Sequence, residues 1–77
     1  MRPRQPEGLA ALSTRELQVA ELVSEGRTNR QIARALSLSE KTVEVYVSRA
    51  FVKLGVSSRA AVARVITQQR LRSGAPE

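Results

Sequence analysis

Between residues 12 and 71 the apolar positions recur at helical spacing, interrupted by short polar breaks. A first stretch carries Leu17, Ala20 and either Leu22 or Val23. It is preceded by Ser13-x-x-Glu16, the spacing of a capping box, and followed by Gly26, a residue suited to the left-handed position past a helix end. A second stretch repeats the device: Thr28 stands three residues before Gln31, and Ile32, Ala33 and Leu36 form its apolar stripe. The third, "TVEVYVSRAFVKLGV", residues 42–56, is ambiguous at first sight. Val43, Val45 and Val47 alternate as a strand would, but that pattern stops by Arg49, and a lone strand would have no partner in this chain. Val43, Tyr46, Val47, Ala50, Phe51 and Leu54 instead form one uninterrupted helical stripe. The segment therefore predicts a helix over about 40–54, capped by Ser39 and stopped at Gly55. A fourth helix, capped by Ser57 or Ser58, places Val62, Ile66 and Gln69 along one side and Ala61, Val65 and Gln68 along another.

These elements predict an all-α, four-helix domain over residues 12–71. Residues 1–11, with their prolines and no periodicity, read as a flexible arm or linker remnant, and 72–77 as a flexible tail. The second helix, the turn Ser37–Ser39 and the third helix make a helix-turn-helix, whose second helix enters a DNA major groove. Ala33 is small enough for a close helix crossing over Val43, with Ile32, Leu36 and Leu38 filling the remainder. Ser37 stands where such turns often use glycine.

Charge narrows the function. Thirteen Lys and Arg against seven acidic residues give 77 residues a net charge of +6, suited to a polyanion such as nucleic acid. Tyr46 and Phe51 are the only aromatics, too few for a base-stacking single-strand platform. With no Cys and no His, the chain offers no disulfide, no Cys/His zinc site and no imidazole or thiol catalysis. The carboxylates are scattered and no glycine-rich phosphate loop is present, so an enzyme is the weakest reading and no cofactor is expected. No apolar run approaches the roughly 20 residues that span a bilayer. The expected location is the cytoplasm, on the nucleoid when bound to DNA.

On the third helix the face opposite the apolar stripe carries Lys41, Thr42, Glu44, Val45, Ser48, Arg49 and Val52. In a major groove Val45 meets a thymine methyl, Glu44 accepts from cytosine N4, and Ser48 donates or accepts. The competing readings are valines in a protein contact or tolerated singly at the surface, and Glu44 paired with Lys41 or Arg49. Thr28 and Asn29, at the start of the second helix, suit phosphate, as do Arg30, Lys41, Thr42, Arg49, Lys53 and Arg59 on the same side. Arg27, Arg34, Arg64, Arg70 and Arg72 are assigned to other faces.

The run "LSTRELQVAELVSEGRTNRQIARALSLSEKTVEVYVSRAFVKLGVSSRAAV" resembles the LuxR-type (GerE-like) helix-turn-helix domain of bacterial transcription regulators. The resemblance rests on Leu12–Glu16, on Gly26–Ala33, on Ser39-x-x-Thr42-Val43 and on Lys53-Leu54-Gly55-Val56 followed by Arg59. It implies a DNA-binding output domain that dimerises through the fourth helix on an inverted or imperfect repeat. It also implies base contacts at Glu44, Val45 and Ser48 and backbone contacts near Thr28, Asn29, Thr42 and Lys53. Glu44 replaces a frequent Lys, Tyr46 a usual His and Val52 a frequent Arg, so specificity is not transferable from Lys-bearing relatives. Helical phase assigns Ala61, Val65 and Gln68 to the dimer seam and Val62 and Ile66 to the core. The alternative is a helix that merely closes a monomer. Rival functions are region 4 of a sigma factor and a protein-interaction module without DNA affinity. Recruitment or blocking of RNA polymerase is the expected consequence of binding, by either a small stand-alone regulator or a piece of a larger one.

Overall fold

The computed structural model describes residues 8–73. A 3-10 turn, Gly8–Ala11, leads into four α-helices: α1 (Thr14–Ser24), α2 (Asn29–Leu36), α3 (Glu40–Leu54) and α4 (Arg59–Ser73). Among the described residues there is no strand. The ambiguous segment is helical throughout.

Local chemistry sets the helix boundaries. Ser13 Oγ accepts from the Glu16 N–H at 3.1 Å while Glu16 Oε1 accepts from the Ser13 N–H at 2.9 Å, closing the first capping box. Thr28 and Gln31 close the second with 3.1 and 2.9 Å bonds. Ser39 Oγ caps α3 through the Thr42 N–H, and Ser58 Oγ caps α4 through the Ala61 N–H, which resolves the choice between Ser57 and Ser58. At the other ends, the N–H groups of Arg27, Leu38 and Val56 reach back to the carbonyls of Leu22, Ala33 and Phe51. Each is the long bond of a Schellman closure, with Gly26, Ser37 and Gly55 at positive φ between. Ser37, at φ 58°, holds the left-handed conformation at a cost of roughly 1 kcal/mol that a glycine would avoid. Leu38, the next residue, offsets that cost by packing on the core.

The core is built around α1, which packs against all three other helices. Val19, Ala20 and Val23 of α1 meet Ile32 and Ala33 of α2, Val43 of α3, and Val62 and Ile66 of α4. Each fully buried valine or isoleucine stabilises by roughly 2 kcal/mol. Ala33 and Val43 are buried in the same cluster, in line with a close α2–α3 crossing. Three details depart from the sequence reading. Val19 is fully buried whereas Leu17 is half-buried, so the stripe of α1 is Glu16, Val19, Ala20, Val23. Residues 8–11, expected at the end of an arm, form the 3-10 turn, and Leu9 packs on the core. α4 continues to Ser73, into the expected tail, while residues 1–7 and 74–77 of the arm and tail lie outside the described residues.

Candidate nucleic-acid interface

The turn Ser37–Ser39 holds α3 with its apolar stripe on α1 and α2, and this leaves Lys41, Glu44, Val45, Ser48, Arg49 and Val52 exposed on one side. Val45 is 43% and Val52 80% exposed, so both valines do face outward. Lys41, Glu44, Val45, Ser48 and Arg49 together line a shallow open depression of about 290 Å³. Among the described residues, neither Lys41 nor Arg49 pairs with Glu44, so the ion-pair reading of that carboxylate is not what the structure contains. Thr42 is half-buried beside this face. Its Oγ1 accepts from Ser39 Oγ at 2.9 Å, which leaves the Thr42 hydroxyl hydrogen to donate elsewhere.

The N-terminus of α2 lies at the edge of a second concavity, about 670 Å³, lined among others by Arg27, Thr28, Asn29, Arg30 and Arg59. The Thr28–Gln31 box satisfies the first and fourth N–H groups of this end. The Asn29 and Arg30 N–H groups have no carbonyl one turn back to bond, and together with the helix dipole they make this end suitable for an anion. Arg30 itself is exposed.

Lys53 and Arg59 stand differently. Expected at phosphate, each is bonded first within the protein. Lys53 Nζ donates to Glu16 Oε1 at 2.8 Å and ties the end of α3 to the start of α1. Glu16 is 3% exposed, so the ammonium stabilises a charge that burial penalises. The Lys53 hydrogen bond, then the Ser13 N–H, hold the Glu16 carboxyl below the usual carboxylate range against the opposing effect of burial. Arg59 Nη1 donates to Asn29 Oδ1 at 2.9 Å and its Nη2 to the Arg27 carbonyl at 2.8 Å. Sequence periodicity carries no trace of these links, because the partners lie 37, 30 and 32 residues apart.

On α4, Val62 and Ile66 are buried as expected, Ala61 and Val65 are half-buried, and Gln68 is exposed. Leu71, 72% exposed, adds an apolar side chain that the phase argument did not assign. Arg27 and Arg70 lie near Glu25 and Glu21 at 3.6 and 3.9 Å. No group of three or more acidic side chains that could hold a metal occurs among the described residues, and no described helix is long and apolar enough to cross a membrane.

Residues 10–66 match the model of a family described as bacterial regulatory proteins, luxR family. The DNA-binding transcriptional activator DevR/DosR of Mycobacterium tuberculosis is 45% identical over 60 residues, 78% of this chain and 28% of that protein. The nitrate/nitrite response regulator protein NarP of Escherichia coli is 41% identical over 61 residues, 79% of this chain and 28% of that protein. The spore germination protein GerE of Bacillus subtilis is 39% identical over 59 residues, covering 77% of this chain and 80% of GerE. Among solved structures, the response regulator ChrA of a heme-sensing two-component system superposes with a TM-score of 0.73 at 40% identity, over 91% of this chain and 32% of ChrA. The chain thus spans less than a third of DevR/DosR, NarP and ChrA, and most of GerE.

Proposed function

The chain belongs to the luxR family of bacterial regulatory proteins, and on that premise we propose that it is a sequence-specific, double-stranded DNA-binding domain of a transcription regulator. The outer face of α3 enters the major groove. Glu44, Val45 and Ser48 read bases: a carboxylate accepting from cytosine N4, a methyl-bearing side chain against thymine, and a hydroxyl that serves either way. The observation that carries this reading is that these side chains are exposed and uncommitted on a helix held rigidly by its other face.

Phosphates are held around that face. Thr28, Asn29 and the free N–H groups of the α2 N-terminus take one, the Thr42 hydroxyl another, and Arg30, Lys41 and Arg49 supply charge. Lys53 and Arg59 belong to the frame that holds these groups rather than to the contact set. Two copies bind an inverted or imperfect repeat, joined through Ala61, Val65 and Gln68 of α4, which matches a two-fold protein to two half-sites. The domain acts in the cytoplasm, on the nucleoid, and its bound position recruits or blocks RNA polymerase. No catalysis and no cofactor are part of this function.

Selection of sites from random duplex DNA, followed by titration of the recovered site at several salt concentrations, tests the reading. The expected result is a two-fold-related motif. Arg30, Lys41 and Arg49 on each protomer of the dimer predict a log–log salt slope of about −5. An absence of enrichment, with weak binding confined to low salt, would leave only nonspecific charge and move the chain to the protein-interaction reading. Val65→Glu should dissociate the dimer and lower affinity for the two-half-site duplex more than 100-fold, roughly the loss of one tethered contact, with helicity intact by circular dichroism. A dimer that survives this change places the seam elsewhere.

A further inference from the structure

We propose that Arg59 is a positioning residue for DNA binding: it fixes the Asn29 side-chain amide with its NH2 end directed away from the guanidinium, as a donor for phosphate, and contributes orientation rather than charge. The proposal rests on the DNA-binding reading above and adds the means by which the α2 N-terminus is prepared for it.

The geometry begins at the guanidinium. Arg59, the first residue of α4, spends one nitrogen on Asn29 Oδ1 and another on the Arg27 carbonyl. A guanidinium has only donors, so the Asn29 atom facing it has to be the carbonyl oxygen. An asparagine amide alone could adopt either of two orientations related by a half-turn, and here the arginine removes the choice. The Nδ2 hydrogens then lie on the other end of the amide. Arg27 is pinned from both sides, its N–H bonded to the Leu22 carbonyl at 3.2 Å and its own carbonyl to Arg59. The backbone between α1 and α2 is therefore held through α4, and Thr28 and Asn29 inherit that fixed approach.

The consequence for an anion follows from sign. With Arg59 in place, Asn29 offers a phosphate two N–H donors. Without it the amide can turn, and its oxygen would repel the same phosphate. A group preorganised in this way costs no side-chain ordering on binding. Arg59 also begins the helix whose first two turns carry Ala61 and Val65, so the proposed dimer seam and the proposed phosphate contact share one short, rigid connection.

The test uses the duplex recovered by selection and four variants: Arg59→Lys, Arg59→Ala, Asn29→Ala and the Arg59→Ala/Asn29→Ala double. Lysine keeps the charge but cannot span both acceptors with a planar fork. A positioning role predicts that Lys and Ala weaken binding of the dimer by a similar factor, roughly tenfold to a hundredfold, the scale of one lost hydrogen bond on each protomer. The salt slope should stay at the wild-type value, and Asn29→Ala should add little in the Arg59→Ala background. Arg59→Lys binding like wild type, or a slope smaller by about two units for Arg59→Ala (one for each protomer), would make Arg59 a direct phosphate contact and overturn the proposal. A second readout needs no DNA. The Asn29 side-chain NH2 should be rigid by 15N relaxation in the wild type and mobile in Arg59→Lys. Equal mobility in the two overturns the positioning role. A wild-type chain that binds no selected duplex but shows the rigid Asn29 amide would instead fail the DNA-binding reading alone.

Discussion

On the outer face of α3, Lys41, Glu44, Ser48 and Arg49 make no ion pair or side-chain hydrogen bond with any described residue, and Val45 lies exposed among them. One turn further along the same helix, Lys53 is bonded to a buried carboxylate on α1, and past the helix end Arg59 is bonded to Asn29 and to a backbone carbonyl. Val45 apart, all of these are polar or charged residues of one basic chain, yet they stand in two different conditions. A solvated, unbonded group can exchange water for a base edge or a phosphate oxygen. A group already holding the fold would have to give up that bond, or share it, to do the same. Net charge therefore overstates the cations free for DNA, and the division between reading face and frame is a matter of partners rather than of residue type.

That division can be broken most visibly at Lys53. Lys53→Ala leaves Glu16 buried with only its capping bonds, and should cost about 2 kcal/mol of stability, seen as a fall of about 10 °C in Tm. Its salt slope on DNA should stay near the wild-type value. A Tm unchanged by the substitution would return Lys53 to the phosphate set. Arg49→Ala should do the reverse. Its unfolding free energy should change by less than about 0.5 kcal/mol, while DNA affinity falls across all sequences and the salt slope of the dimer shrinks by about two units, one for each protomer. Val45→Ala should lower the preference at one base pair by about 1 kcal/mol, measured by repeating the site selection. A preference profile identical to wild type would remove Val45 from base reading.

The smallest effect is expected in the acid profile. The folded-state pKa of Glu16 is held below its ordinary value of 4.5, so the unfolded chain binds the proton more readily. The stabilisation is present in full above 4.5 and is lost as pH falls through the depressed folded value. Glu16→Gln should flatten this part of the curve relative to wild type in thermal melts below about pH 5. Parallel curves would show that other carboxylates govern the acid limb.

The same partners explain what could be seen in the sequence. Caps are local: Ser13 with Glu16, Thr28 with Gln31, and the left-handed Gly26 and Gly55 are written within a few residues, so the helix boundaries are legible. The stripe of α3 spans enough turns to override its strand-like opening. On α1 the inward phase begins with a charged residue, Glu16, and this concealed that Val19 rather than Leu17 is fully buried. The turn Gly8–Ala11 is too short to show a period, and Leu9 finds its place only because the other helices supply a surface. The candidate reading face was legible because helical phase alone turns Val45 and Val52 outward. The bonds of Lys53 and Arg59 were not, since they join segments that meet only in the folded chain.

The central claim is that the free face of α3, with the N-terminus of α2 beside it, is the surface that meets DNA. Titration of the 15N-labelled domain with its selected duplex, followed by amide and side-chain chemical shifts, tests it most directly. The largest changes should fall on Thr28 to Arg30, on Lys41 to Arg49 and on the Asn29 NH2 group, with the Glu16–Lys53 region little altered. Changes concentrated on the exposed side of α4, around Arg64, Thr67 and Leu71, with α3 silent, would contradict it.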